Sequence, residues 1–165
     1  MESARDLFDH LLRSMYDGTR RLERGIAQIA GGISDAQLTK SMEDLRSDVG
    51  EQTKRLEEIF ELIDEKPATE ESSTVNAMLG EVSALKKQRP NKAVFDAFAG
   101  STAAGITQYS MDTFETILQL AERSGVTTSA PKVADNLEVS RKEHKKLHKD
   151  LQKLNEQLME RLRPS

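Results

Sequence analysis

The chain has 165 residues, 28 Asp+Glu against 24 Lys+Arg, no cysteine and no tryptophan. The formal net charge of -4 argues against a dedicated nucleic-acid binder, which carries a basic excess. The absence of cysteine excludes disulfides, thiolate metal sites and a thiol nucleophile. Only 4 prolines and 9 glycines interrupt it, so long helices can form.

Met1-Glu2-Ser3-Ala4-Arg5-Asp6 is charged and leads into no apolar stretch, so it does not read as a signal peptide. No apolar run reaches membrane-spanning length, and a cytoplasmic protein with no membrane contact is the expectation. Breakers fall at Gly31-Gly32, at Lys66-Pro67, at Arg89-Pro90-Asn91 and from Ser124-Gly125 to Ala130-Pro131. They leave helix A over about 3–30, B over about 35–64, a short helix over about 74–88, C over about 91–123 and D over about 131–162.

Helix A carries Phe8, Leu12, Met15, Thr19, Leu22, Ile26 and Ile29, in alternating steps of four and three. Helix B repeats this through Leu38, Met42, Leu45, Val49, Gln52, Leu56, Ile59 and Ile63. Helix C reads less regularly through Phe95, Phe98, Thr102, Ile106, Tyr109, Thr113, Ile117 and Leu120. Helix D runs Val133, Leu137, Ser140, His144, Leu147, Leu151, Leu154 and Leu158. A three-four repeat gathers these side chains on one stripe that must be buried against other helices.

Four such helices span roughly 40–50 Å each. The short loops at Gly31 and Gly125 make A/B and C/D antiparallel hairpins. The long B–C connection carries the short fifth helix and can run the length of the bundle, leaving B and C parallel. The expectation is therefore an all-α, single-domain chain over 1–165. Its fold is a ferritin-like four-helix bundle, two antiparallel hairpins joined by a long crossover.

Each stripe is broken by polar residues near its midpoint: Thr19 in A, Gln52 beside Asp48 in B, Thr102 and Ser110 near Tyr109 in C, Ser140 and His144 in D. In an antiparallel arrangement these meet at one level. A dinuclear centre there needs about four carboxylates and usually two histidines to neutralise and complete two cations. The stripe offers only Asp48 and His144; Glu51 and Glu143 lie off it, no Glu-x-x-His occurs, and Arg141 stands three residues before His144. Asp48 and His144 remain as residual metal candidates, for iron, manganese or zinc. No cofactor is expected, and the plainer reading is a hydrogen-bonded layer that fixes helix register.

The run Leu11-Leu12-Arg13-Ser14-Met15-Tyr16-Asp17-Gly18-Thr19-Arg20-Arg21-Leu22 resembles the first helix of the YciF/YciE-like ferritin-like family. Gln52-Thr53-Lys54-Arg55-Leu56-Glu57-Glu58-Ile59-Phe60-Glu61-Leu62-Ile63, followed by Lys66-Pro67, resembles its second helix and the turn after it. The resemblance covers nearly the whole chain and implies a bundle, often dimeric, associated with bacterial stress and of poorly defined activity. The family's glutamate in the first helix falls on Thr19, and that in the second on Asp48. Its His-Tyr-Glu in the third helix falls on Gln108-Tyr109-Ser110. The acidic run of the last helix falls on Val139, Ser140 and Arg141, and a downstream acid on His144. The resemblance implies a scaffold whose metal-ligand positions are largely degenerate.

Other features rank lower. His144 and His148 form an i, i+4 pair that could hold zinc, although no HExxH spacing occurs and His10 and His148 read as surface residues. Long helices offer no strained turn or oxyanion hole for Ser/His/Asp catalysis. Gly25 and the run Gly100 to Gly105 read as close helix packing, with room for a ligand as the alternative. Helix D is basic, with 8 Lys/Arg against 4 acids from Arg141 to Arg163, whereas Glu57 to Glu71 holds 7 acids and only Lys66. These read as solvated faces or as patches that pair between the subunits of a homodimer. The function expected is a non-enzymatic, stress-associated bundle, with a reduced-ligand metal protein and a helical adaptor as alternatives.

Overall fold

The computed structural model describes residues 1–163, and every regular element among them is helical. They are α1 (Ala4–Ala30), α2 (Ala36–Leu62), α3 (Ser73–Lys87), α4 (Lys92–Arg123), α5 (Val126–Ser129) and α6 (Lys132–Glu160). Capping residues set the starts: Ser3 and Asp6 form a reciprocal capping box on α1, and Asp35 and Asn91 accept from the first turns of α2 and α4. α2 ends where Asp64 takes a left-handed φ of 57° and the Glu65 amide returns to the Phe60 carbonyl. Gly125, at φ 78°, makes the turn into the single-turn α5.

Side-chain pairs fix the direction of every long helix. Arg5 meets Glu65 and Tyr16 meets Glu57, so α1 and α2 are antiparallel. Thr107 meets His148 and Glu115 meets Arg141, so α4 and α6 are antiparallel. Asp35 meets Arg161 and Arg55 meets Glu143, which sets α6 antiparallel to α2. α2 and α4 consequently run parallel on one diagonal, joined by the crossover that carries α3. This is the expected ferritin-like connectivity.

α3 lies on α1 where glycines let it approach. A Cβ on Gly25 would stand 2.6 Å from the Leu79 methyls, and one on Gly18 3.2 Å from Val75 Cγ2. The Ser72 amide donates to Asp17 and Arg21 donates to Asn76, which pins the start of the strap.

The core forms two apolar clusters, one towards each end of the bundle. One contains Leu22, Leu45, Ile106 and Leu151; the other contains Tyr16, Leu56, Phe114 and Leu137. Between them every long helix passes a buried polar residue: Thr19 on α1, Gln52 on α2, Ser110 on α4, and Ser140 and His144 on α6. The polar level expected from the stripes is present.

Helix α4 departs from expectation in its phase. Its buried face runs through Ala99, Ala103, Thr107, Ser110, Phe114 and Ala121 as well as Phe95, Ile106 and Ile117. Phe98, Thr102, Tyr109, Thr113 and Leu120 are only half-buried. The cause is close packing: α6 lies against the alanine and glycine side of α4, and bulkier residues stand at the seams. Thr107, not Thr102, is the buried threonine of α4.

Candidate functional site

The polar level brings an acid and an imidazole together inside the bundle, whereas the buried Asp96 lies apart from it and accepts from Ser34. α2 and α6 bring Asp48 and His144 together, with His144 Nδ1 2.8 Å from Asp48 Oδ2. His144 is fully buried and the Asp48 side chain 11% exposed. Gln52, one turn along α2, donates its amide to the same Asp48 oxygen at 3.1 Å. The imidazole sits at ion-pair distance from Asp48 but off the line of a hydrogen bond, and Nε2 has no partner either. Gln52 Oε1 and Ser110 Oγ are likewise buried without partners. Thr19 donates to the Tyr16 carbonyl of its own helix and so offers nothing inward except lone pairs. The Phe114 ring lies beside the imidazole, with centroids 6.2 Å apart.

Outside this level, Asp48 borders a surface groove of about 440 Å³ between α2 and α6, shared with Asp44, Glu51, Glu143, Lys146 and Asp150. Its carboxylates are partly engaged. Arg55 clasps Glu143 with two bonds of 2.6 and 2.9 Å, and Lys54 holds Glu51 at 2.7 Å. Glu51 is therefore held below the usual carboxylate range by Lys54.

Two sequence expectations change. Arg141 does not stand in the level: it turns outward to Glu138 and, at 3.7 Å, to Glu115. Glu138 is correspondingly held low by the guanidinium. His144 and His148 do not form a ligand pair, because the first turns to Asp48 on α2 and the second to Ala104 and Thr107 on α4. His148 is half-buried and anchored rather than free on the surface. His10 Nδ1 stands 2.8 Å from Glu70.

The sequence reading missed Tyr16. It is 7% exposed, donates to Glu57 at 2.8 Å, packs edge-on to Phe60 and lies under Arg20. Burial first and Glu57 second push its phenol above the ordinary value. The Tyr16–Asp17 pair marked the helix, but no spacing rule joins Tyr16 to Glu57 across 41 residues.

A dinuclear centre does not fit this donor set. Among the described residues no three His, Asp or Glu side chains are placed to hold one metal ion. Thr19 and Ser110 stand where two helices would have to supply carboxylates, and a neutral hydroxyl cannot balance a divalent charge.

The family described as "Domain of unknown function (DUF892)" matches residues 3–162. The chain belongs to this family. Protein YciF of Escherichia coli (strain K12) is 22% identical over 139 residues, covering 84% of each sequence. The crystal structure of the E. coli stress protein YciF matches with a TM-score of 0.88 at 22% identity, over 97% of this chain and 99% of that one. YcfI from Rhodopseudomonas palustris matches with a TM-score of 0.85 at 18% identity, over 92% and 94%. The YciF-like bundle is thus the fold of this DUF892 chain. No helix of the described residues is long and apolar enough to cross a membrane.

Proposed function

We propose that this chain is a non-enzymatic, stress-associated member of its family that works as a helical scaffold and has lost the dinuclear metal set. The observation that carries the reading is the composition of the buried level. Asp48 and His144 are its one acid and one imidazole, and the other polar residues there are Thr19, Gln52, Ser110 and Ser140. The stress association comes from the E. coli relative, a stress protein by name. The scaffold role fits a site with polar groups but no complete acid, base and oxyanion set. A cytoplasmic homodimer is part of the proposal; sedimentation should give the mass of two chains.

The test is metal content after growth in iron, manganese and zinc. The scaffold reading expects less than one tightly held ion per chain and no oxidation of ferrous iron. Two ions per chain with inward ligands would overturn it. A second reading, a single-ion protein with a reduced ligand set, is favoured by the 2.8 Å approach of His144 to Asp48. It expects one ion per chain, lost in both Asp48→Ala and His144→Gln.

A further inference from the structure

The half-buried His148 is set differently from the other two histidines. Its Nδ1 lies 3.1 Å from the Ala104 carbonyl and 2.9 Å from Thr107 Oγ1, while Thr107 itself donates to the Ala104 carbonyl at 2.9 Å. A carbonyl only accepts, so a hydrogen bond to Ala104 requires the proton of the neutral ring on Nδ1. That leaves the Nε2 lone pair outside the hydrogen-bonded contact with α4, in a ring that two α4 groups hold by its other nitrogen. The surroundings are cationic on balance: three lysines and one acid, Asp150, lie within three residues on α6. Lys145 and Lys149 flank His148 on its own helix, both exposed. Among the described residues, neither they nor Lys146 makes an ion pair. On α4 the exposed neighbours are the small Ser101 and Gly105, and a Cβ on Gly105 would meet nothing within 4 Å. The α4 acid of this stretch, Asp112, is engaged by the Gln108 amide.

We propose that His148 is a phosphoryl-acceptor site, taking the phosphoryl group of an acyl phosphate. The Nε2 lone pair attacks phosphorus and forms the N–P bond as the P–O bond to the acyl oxygen breaks, and the carboxylate leaves with that electron pair. The proton on Nδ1 stays, and the Ala104 carbonyl faces the positive charge that develops on the ring. Lys145 and Lys149 balance the dianionic phosphoryl group. His10 is the internal contrast. Its Nδ1 faces Glu70 at 2.8 Å, with Asp6 and the Arg5-paired Asp9 before it and Arg13 after it. A phosphorylated donor is drawn more strongly to His148 than to His10.

The test incubates the whole protein with acetyl phosphate in one arm and with a protein bearing a phosphorylated aspartate in the other, and maps acid-labile phosphate by mass spectrometry. His148 should be labelled at least about tenfold faster than His10, in line with the usual effect of local charge on encounter rates. NMR should place the phosphorus on Nε2. Lys145→Gln with Lys149→Gln should slow labelling about tenfold without altering the helical signal, and His148→Gln should abolish it. The arm that labels distinguishes a free donor from a protein-borne one. Labelling in neither arm, attachment at Nδ1, or equal rates at His10 and His148 would overturn the proposal.

Discussion

The two hairpins bury their seams by different means. Between α1 and α2 the covered side chains are large: Phe8, Leu12, Leu22 and Ile26 face Leu38, Leu45, Leu56 and Ile59. Between α4 and α6, in the half of the bundle that holds Leu151, they are small on one side, Ala99, Gly100, Ala103 and Ala104, and large on the other, Leu151, Leu154 and Leu158. A Cβ on Gly100 would stand 3.1 Å from Leu158 Cδ1, so there the backbones themselves come close. The first seam is stabilised chiefly by apolar area removed from water, the second by dense contact over a small area. Substitutions of opposite sense should therefore be damaging in the two places.

The largest effect is expected from Leu45→Ala. Leu45 is 0% exposed in the cluster that holds Leu22 and Ile106, and deleting its branch leaves a cavity among neighbours too large to close in. The loss should be about 3 kcal/mol, read as a lower urea midpoint with an unchanged slope. A loss under about 1 kcal/mol would mean that the first hairpin repacks freely and that the contrast between the seams is false.

A smaller effect, opposite in chemistry, is expected from Ala103→Leu. Extra methyls at a position 1% exposed must displace the packed neighbours or force strained rotamers, at about 2 kcal/mol. The same urea series measures it. A neutral or stabilising outcome would show that the second seam has slack.

This contrast also explains what could be read from the residues alone. The stripes of α1, α2 and α6 are written in Leu, Ile, Met and Phe, whose burial is worth enough to fix a helix's phase, and they came out as expected except at Ile63 and Leu147, which are half-buried. α4 gives its core face to alanine, glycine and threonine, which look neutral in a hydrophobic pattern, so Phe98 and Tyr109 attract the eye although they stand at the seams. The polar level was legible because Thr19, Gln52, Ser110 and His144 interrupt regular spacings at matching heights. Its partners were not. Arg55 and Glu143 are 88 residues apart, and the anchoring of His148 by Thr107 depends on an α4–α6 register that no local signal encodes.

The smallest effect concerns the charges that tie other elements to the first hairpin. Burial pushes the Asp17 carboxyl up, but the Ser72 amide and the Arg21 guanidinium outweigh it and hold the group below its ordinary value. Arg161, with the Leu38 amide, does the same for Asp35. A carboxyl whose folded value is depressed stabilises the protein above the unfolded value, near pH 4, and this is lost as pH falls through the folded value. Asp17 holds the start of α3 against α1, and Asp35 caps α2 while receiving Arg161 from the turn after α6. In the second hairpin, Glu138 is also held low by Arg141, but that pair lies on one helix, three residues apart, so losing it separates nothing. Acid should therefore loosen α3 and the α1–α2 turn before the α4–α6 seam. Hydrogen exchange below about pH 4 should show α3 amides opening while those of α4 stay protected. Asp17→Asn should lower the urea midpoint at pH 7, and its difference from the parent should shrink as the parent's own Asp17 is protonated. A difference that persists undiminished at pH 3 would mean that the Asp17 carboxylate contributes through packing and not through its charge.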